Sequence, residues 1–253
     1  AERVRVRVAW PLPDCWPSRG AAERRSPPAG LMTAMMLCFV FCGVIAGYVS
    51  SRLYKTFKGG EQRVELERIH LEEDAGKSIH DKHADASQVD LNRAGTPLIE
   101  LVTKPKIHSP ALAYAFLNAL KQIVRYLGVS DCDMEKGSLR VDGNISVRPE
   151  GQQELNPKVE IKNINSFKYL QGALEYERKR QITLHWEGRA NDIRQETRLY
   201  DSAKRETRVM RVKEGLSDYR YFPEPDLLPV HVSADMIEEV RDRVPELPLA
   251  RCR

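Results

Sequence analysis

Two neighbouring segments constrain the fold most tightly: "SLRVDGNISVR", residues 138–148, and "KVEIKN", residues 158–163. Both alternate apolar and polar residues. Leu139, Val141, Ile145 and Val147 fall on one side of the first, and Arg140, Asp142, Asn144, Ser146 and Arg148 on the other. In the second, Val159 and Ile161 oppose Lys158, Glu160 and Lys162. A period of two is the signature of a half-buried strand. The intervening "PEGQQELNP" has the composition of a hairpin loop. Paired, the strands put Asp142 and Glu160 on one face with Arg140, Asn144 and Lys162. A solvated antiparallel face has the same pattern, so alternation alone does not separate a site from a surface.

The remaining elements predict an α+β chain rather than a parallel α/β one. "SPALAYAFLNALKQIVRYLG" is a helix capped by Ser109, with Pro110 in its first turn, a stripe of Leu112, Phe116, Leu120, Ile123, Val124 and Leu127, and Gly128 at its end. A second, charged helix follows Ser166. "QETRLYD" and "ETRVMRVK" read as short strands, "SDYRYFPEPDLLPV" as an extended loop and "SADMIEEVRDRV" as a last short helix. In "RIHLEED", Arg68, His70 and Glu72 alternate with Ile69 and Leu71, a strand that ends in a carboxylate-rich turn.

That turn contains Gly76-Lys77-Ser78, the tail of a P-loop. The full motif needs a glycine where Leu71 stands, and Glu72, Glu73 and Asp74 would repel a triphosphate inside the loop. The P-loop is rejected. The five cysteines form no C-x-x-C pair, which argues against a thiolate zinc site. The net charge of +4 argues neither for nor against an RNA partner.

The N-terminal part is unlike the rest. Residues 1–30 are rich in Arg and Pro and are expected to form an irregular arm. Residues 31–51 carry no charge; as a helix they would span roughly 30 Å, the thickness of a hydrocarbon core. Gly43 and Gly47 have small-xxx-small spacing. A membrane span ending near residue 52, a buried core helix and a signal-peptide apolar region all fit. The boundary with the second part falls at "KTFKGGEQ", residues 55–62.

Six collinear motifs carry a resemblance: "RIHLEEDAGKSIHD", "VDLNRAGTPLIELV", "YLGVSDCDMEKGSLRVDGNISVRP", "VEIKNINSFKYLQGALEYERKRQ", "QETRLYD" and "DYRYFPEPDLLP". Over residues 63–249 the chain resembles the B subunit of the aspartyl/glutamyl-tRNA amidotransferases. The resemblance implies a cradle-shaped domain like that of glutamine synthetase. It implies use of ATP and Mg²⁺ to activate Glu-tRNA(Gln), or Asp-tRNA(Asn), for amidation. It implies three partners: the amidase subunit of the heterotrimer, its small subunit and a mischarged tRNA. It also implies an organellar, mitochondrial location in a eukaryote.

Motif matching further implies Glu160, Asp142 and Glu72 as catalytic residues. His70, Glu72, Asp142 and Glu160 become metal ligands, and Arg140, Asn144 and Lys162 nucleotide or phosphate contacts. His80, His83, His108, His185 and His231 are read as surface residues. Departures from the family pattern are Lys136 in place of an acid, "VDGNIS" for "CDANIS", Lys104 and Lys106 where "EPD" is common, and no counterpart of an opening "GLEVH" strand. An incomplete site is the expectation. Residues 31–61 resemble a span and loop of the nonaspanin membrane proteins, which would add a membrane contact through residues 31–51. The alternatives are a non-catalytic, membrane-anchored RNA- or partner-binding module and a membrane protein with an unrelated soluble tail.

Overall fold

The computed structural model describes residues 2–11, 54–57, 60–74, 76–80, 87–212 and 233–248. Its centre is a mixed seven-stranded sheet. In chain order the strands are β1 (Glu2–Pro11), β4 (Leu66–Glu73), β7 (Pro97–Thr103), β8 (Arg140–Val147), β9 (Val159–Lys162), β10 (Glu196–Asp201) and β11 (Glu206–Val212), and they lie side by side as β11-β10-β9-β8-β1-β7-β4. Two small hairpins stand apart: β2 (Tyr54–Phe57) with β3 (Gly60–Arg63), and β5 (Lys77–His80) with β6 (Ser87–Asp90). All neighbours in the large sheet are antiparallel except β9 and β10. That parallel pair is joined by a helix, as a parallel connection requires.

Among the described residues there are three α-helices, α1 (Pro110–Tyr126), α2 (Phe167–Trp186) and α3 (Ala234–Arg243), and a short 3-10 turn at Ala190–Asp192. The predicted caps Ser109 and Ser166 form, each accepting a hydrogen bond from the backbone N–H three residues on, and Ser233 caps the last helix in the same way. Gly128, with φ of 68°, supplies the left-handed turn after α1. The α+β expectation holds.

The core lies between α1, α2 and one face of the sheet. Leu112, Phe116, Leu120 and Ile123 from α1 and Leu170, Ala173 and Leu174 from α2 meet Val141, Ile145, Val159 and Ile161 from β8 and β9. Burying each of the large aliphatic side chains contributes roughly 1.5–3 kcal/mol. Gly143 lets α2 come close: a Cβ there would sit 2.8 Å from Leu170 Cδ1.

The expected irregular arm fails at Glu2–Pro11. These residues form the strand between β7 and β8, with Val8 opposite both Leu101 and Val141. The reason is the alternation in "RVRVRV": Val4, Val6 and Val8 are fully buried in the core. The domain therefore draws on residues before 63. Residues 12–53, with the expected apolar helix over 31–51, lie outside the described residues, as does the loop at 213–232. Among the described residues no helix is long and apolar enough to cross a membrane.

Candidate active site

One face of the sheet packs against helices, so the alternate residues of each strand line the other face. On β8 and β9 the predicted polar residues gather there. Asn144 lies opposite Glu160, and the same register sets Asp142 beside Lys162. The Lys162 ammonium sits 3.5 Å from Asp142 Oδ2 and 3.6 Å from Glu160 Oε1. The two carboxylates are therefore no farther apart than the sum of those distances, and one cation holds them together. Glu160 is nearly buried, at 9% exposure, while Asp142 and Lys162 stay partly open to solvent.

Glu160 is fixed from a second side. Its Oε2 accepts a hydrogen bond from Thr197 Oγ1 at 3.0 Å, and Thr197 is fully buried. Thr197 is opposite Glu160 in the parallel β9–β10 pair. Sequence reasoning passed over it, because nothing local in "QETRLYD" announces a partner across a helical crossover. On the other side of β8, strand β1 places Arg7 opposite Asp142 and Arg5 opposite Asn144.

The predicted residues of β4 stand elsewhere. His70 is opposite Glu100 and Glu72 opposite Leu98 on β7, and β4 is the edge strand. Two strands, β7 and β1, separate β4 from β8. Three inter-strand steps amount to roughly 14 Å, whereas an Mg–O bond is about 2.1 Å. One ion therefore cannot join Glu72 to Asp142, and the expected four-residue ligand set divides into two groups. Beside the β4 group lies a buried carboxylate that sequence reasoning missed. Glu100 is 1% exposed, with Arg68 Nη2 at 3.5 Å.

Arg140 shares the polar face of β8 with Asp142 and reaches Asp74 Oδ2 at 3.2 Å. Asp74 of the carboxylate-rich turn thus binds arginine. The family departures are also accommodated. Lys106 and Lys104 both grip Glu65, at 2.8 and 3.2 Å, and hold its carboxyl below the ordinary range. Asp133 is likewise held low, first by the Lys136 backbone N–H and then by that of Glu135, and the Lys136 ammonium stands 3.4 Å away.

Among the described residues no three of His, Cys, Asp and Glu form a metal-ligand group. The donor chemistry nonetheless suits Mg²⁺, which takes hard oxygen ligands and is commonly held by one or two carboxylates plus substrate phosphates. Asp142 and Glu160 provide such a pair.

Residues 33–238 match the family described as the GatB/GatE catalytic domain. The chain is 52% identical over 195 residues to the aspartyl/glutamyl-tRNA(Asn/Gln) amidotransferase B subunit of Dichelobacter nodosus, covering 77% of this chain and 40% of the relative. It is 51% identical over 207 residues to the chloroplastic/mitochondrial glutamyl-tRNA(Gln) amidotransferase B subunit of Sorghum bicolor, covering 82% and 38%. With the B subunit of Halalkalibacterium halodurans the figures are 53% over 193 residues, 76% and 40%. The chain spans about two fifths of the length of these relatives. The family match starts at residue 33 rather than 63, inside the apolar stretch, and the nonaspanin likeness finds no support in these comparisons.

Proposed function

The chain belongs to the GatB/GatE catalytic-domain family, and from that membership we propose that it activates the side-chain carboxyl of a glutamate, or aspartate, esterified to a mischarged tRNA. The observation that carries this reading is the gathering of Asp142 and Glu160 about Lys162, with Asn144 alongside, on the sheet face turned away from the helices.

A carboxylate oxygen of the substrate attacks the γ-phosphorus of ATP, and the bond to the departing ADP breaks. The acyl phosphate so formed loses phosphate when ammonia attacks its carbonyl carbon and gives up a proton. Two anions must approach each other in the first step, so the site has to supply cations. Lys162 supplies one directly. Asp142 and Glu160 are the residues that would hold Mg²⁺, whose charge would offset that of the phosphates. Asn144 offers a neutral amide beside them, and Thr197 keeps Glu160 in one orientation. His70 and Glu72 lie on the edge strand β4 and Glu100 on its neighbour β7, apart from this group.

On this reading the chain works as part of a carbon–nitrogen ligase, with an amidase subunit that releases ammonia from glutamine and with a further small subunit. The Sorghum and rice relatives carry the designation chloroplastic/mitochondrial, which supports an organellar, mitochondrial location. The test is reconstitution: the protein with the amidase and small subunits, ATP, Mg²⁺, glutamine and Glu-tRNA(Gln) or Asp-tRNA(Asn). Formation of Gln-tRNA(Gln) or Asn-tRNA(Asn) supports the proposal. Its absence while the amidase hydrolyses glutamine normally contradicts it.

A further inference from the structure

Strand β10 acts on both faces of the sheet. Thr197 stands on the face of Glu160, and its hydroxyl donates to Glu160 Oε2 at 3.0 Å. By strand alternation its neighbours Glu196 and Arg198 fall on the helix side. There Arg198 Nη1 donates to Glu196 Oε1 at 2.7 Å, and Nε and Nη2 donate to the hydroxyl and carbonyl oxygens of Thr207 at 2.8 and 2.9 Å. Thr207 donates in turn to Glu177 Oε2 at 3.0 Å, and Arg180 reaches Glu177 at 2.6 Å and Glu196 at 3.4 Å. Gln181 donates to Glu177 and accepts from the Val147 N–H. One network thus ties α2 to β8, β10 and β11.

The opposite face shows what the network controls. Lys162 stands at Glu160 Oε1 and Thr197 at Oε2, so different partners hold the two oxygens and set the plane of the carboxylate. Valine in place of Thr197 would fill the same space, suit a strand and bury no hydroxyl. The bond to Glu160 is what the hydroxyl adds at this fully buried position. The β10–β11 register also shifts between Thr197 and Arg198, which lie opposite Arg211 and Val209, so Met210 is the extra residue of a bulge. Bulges re-aim neighbouring side chains. Glu196 and Arg198, at 7% and 8% exposure, then lock the chain on both sides of Thr197. Apolar residues would commonly hold a helix on a sheet as well as buried ion pairs do; hydrogen-bonded charges add a single geometry.

We infer that the Glu177–Arg198–Glu196 network is a positioning device for the site: from the helix side it fixes β10, and through the Thr197 hydroxyl it sets the orientation of Glu160. This deepens the proposed function and rests on that reading for the use made of Glu160. Thr197 and Arg198 are positioning residues, since each acts through another group.

The experiment is calorimetric titration of the whole chain with magnesium chloride, with denaturant unfolding of each variant as the check on folding. Thr197→Val should weaken Mg²⁺ binding about tenfold or more, the scale for losing a group that orients a metal ligand. Thr197→Ser, which keeps the hydroxyl, should bind as wild type does. A packing role alone gives the reverse order, because valine keeps the volume and serine loses a methyl group. Arg198→Lys keeps the charge, loses the fork and should also weaken binding. Added to Thr197→Val it should weaken binding no further, because both act through one hydroxyl. Thr207→Val replaces Arg198→Lys if the latter does not fold. Wild-type affinity in Thr197→Val or in the folded network variant overturns the inference. So do weaker binding by Thr197→Ser than by Thr197→Val, an additive loss in the double variant, and no Mg²⁺ binding by wild type. Hydroxyl-dependent Mg²⁺ binding alongside failed transamidation would keep the positioning device and remove the functional reading.

Discussion

Lys162 Nζ lies 3.5 Å from the Asp142 carboxylate across the β8–β9 pair, and the same ammonium reaches Glu160. Removing it leaves two carboxylates facing each other on one sheet face. Like charges at that range repel, and Glu160 is nearly buried, so little water screens them. The Lys162→Met variant should therefore be less stable than wild type at neutral pH. Denaturant midpoints check it, and an unchanged midpoint would contradict it.

Four carboxyls are held below their ordinary range: Glu65, Asp133, Glu175 and Asp201. Lys106 and Lys104 lower Glu65, the Lys136 backbone N–H lowers Asp133, Arg178 lowers Glu175, and the Lys204 backbone N–H lowers Asp201. Depressed carboxyls contribute stability above their ordinary values of 4.5 for Glu and 3.8 for Asp, and that contribution fades as pH falls through the folded-state values. Melting temperature should fall steadily below about pH 4.5. Glu65→Gln should make that fall shallower, and an unaltered pH slope in this variant would count against the Lys104–Glu65–Lys106 clamp.

A buried polar network ties α2 to β10 and β11. Glu177 is fully buried and contacts Arg180 at 2.6 Å, Thr207 at 3.0 Å and Arg198 at 3.5 Å, while Gln181 accepts from the Val147 N–H. Glu177→Ala leaves two guanidinium groups without this carboxylate and should cost about 3–5 kcal/mol in chemical denaturation. A loss under about 1 kcal/mol, the range of an exposed pair, would show that the network is open to water.

The strand β1 makes its own prediction. Val6 is fully buried, and its N–H donates to Thr103 Oγ1 at 2.9 Å. Val6→Ala should destabilise by roughly 2 kcal/mol through the cavity it leaves. Val6→Asp should prevent stable folding, because the new charge has no partner in an apolar setting. A soluble, undiminished Val6→Asp protein would mean that residues 2–11 do not lie in the sheet.

What was legible in the sequence was local. Ser109 with Pro110, and Ser166 ahead of a charged helical run, fix helix starts without help from the rest of the chain. Alternation around Asp142 and Glu160 marks both strands and their common face, because each strand carries its own period of two and the two are consecutive in the chain. Contacts between distant segments were hidden. "RVRVRV" obeys the same period-two rule, yet its Arg- and Pro-rich surroundings masked it. Its partners Leu101 and Val141 lie more than ninety residues away. The separation of Glu72 from Asp142 depends on strand order, which no local pattern encodes. Thr197 reaches Glu160 only because β9 and β10 are parallel.

The most direct measurement is tRNA-dependent ATP hydrolysis by the complex reconstituted with the amidase and small subunits, comparing wild type with Glu160→Gln. The substitution keeps the shape and the contact with Thr197 but removes the charge that Lys162 and a metal ion would share. Loss of a charged group from a phosphoryl-transfer site costs several kcal/mol of transition-state stabilisation. Phosphate release that depends on mischarged tRNA should fall by about a hundredfold or more, while glutamine hydrolysis by the amidase continues at its basal rate. Wild-type rates of tRNA-dependent phosphate release in the Glu160→Gln complex would contradict the assignment of this sheet face as the site of carboxyl activation.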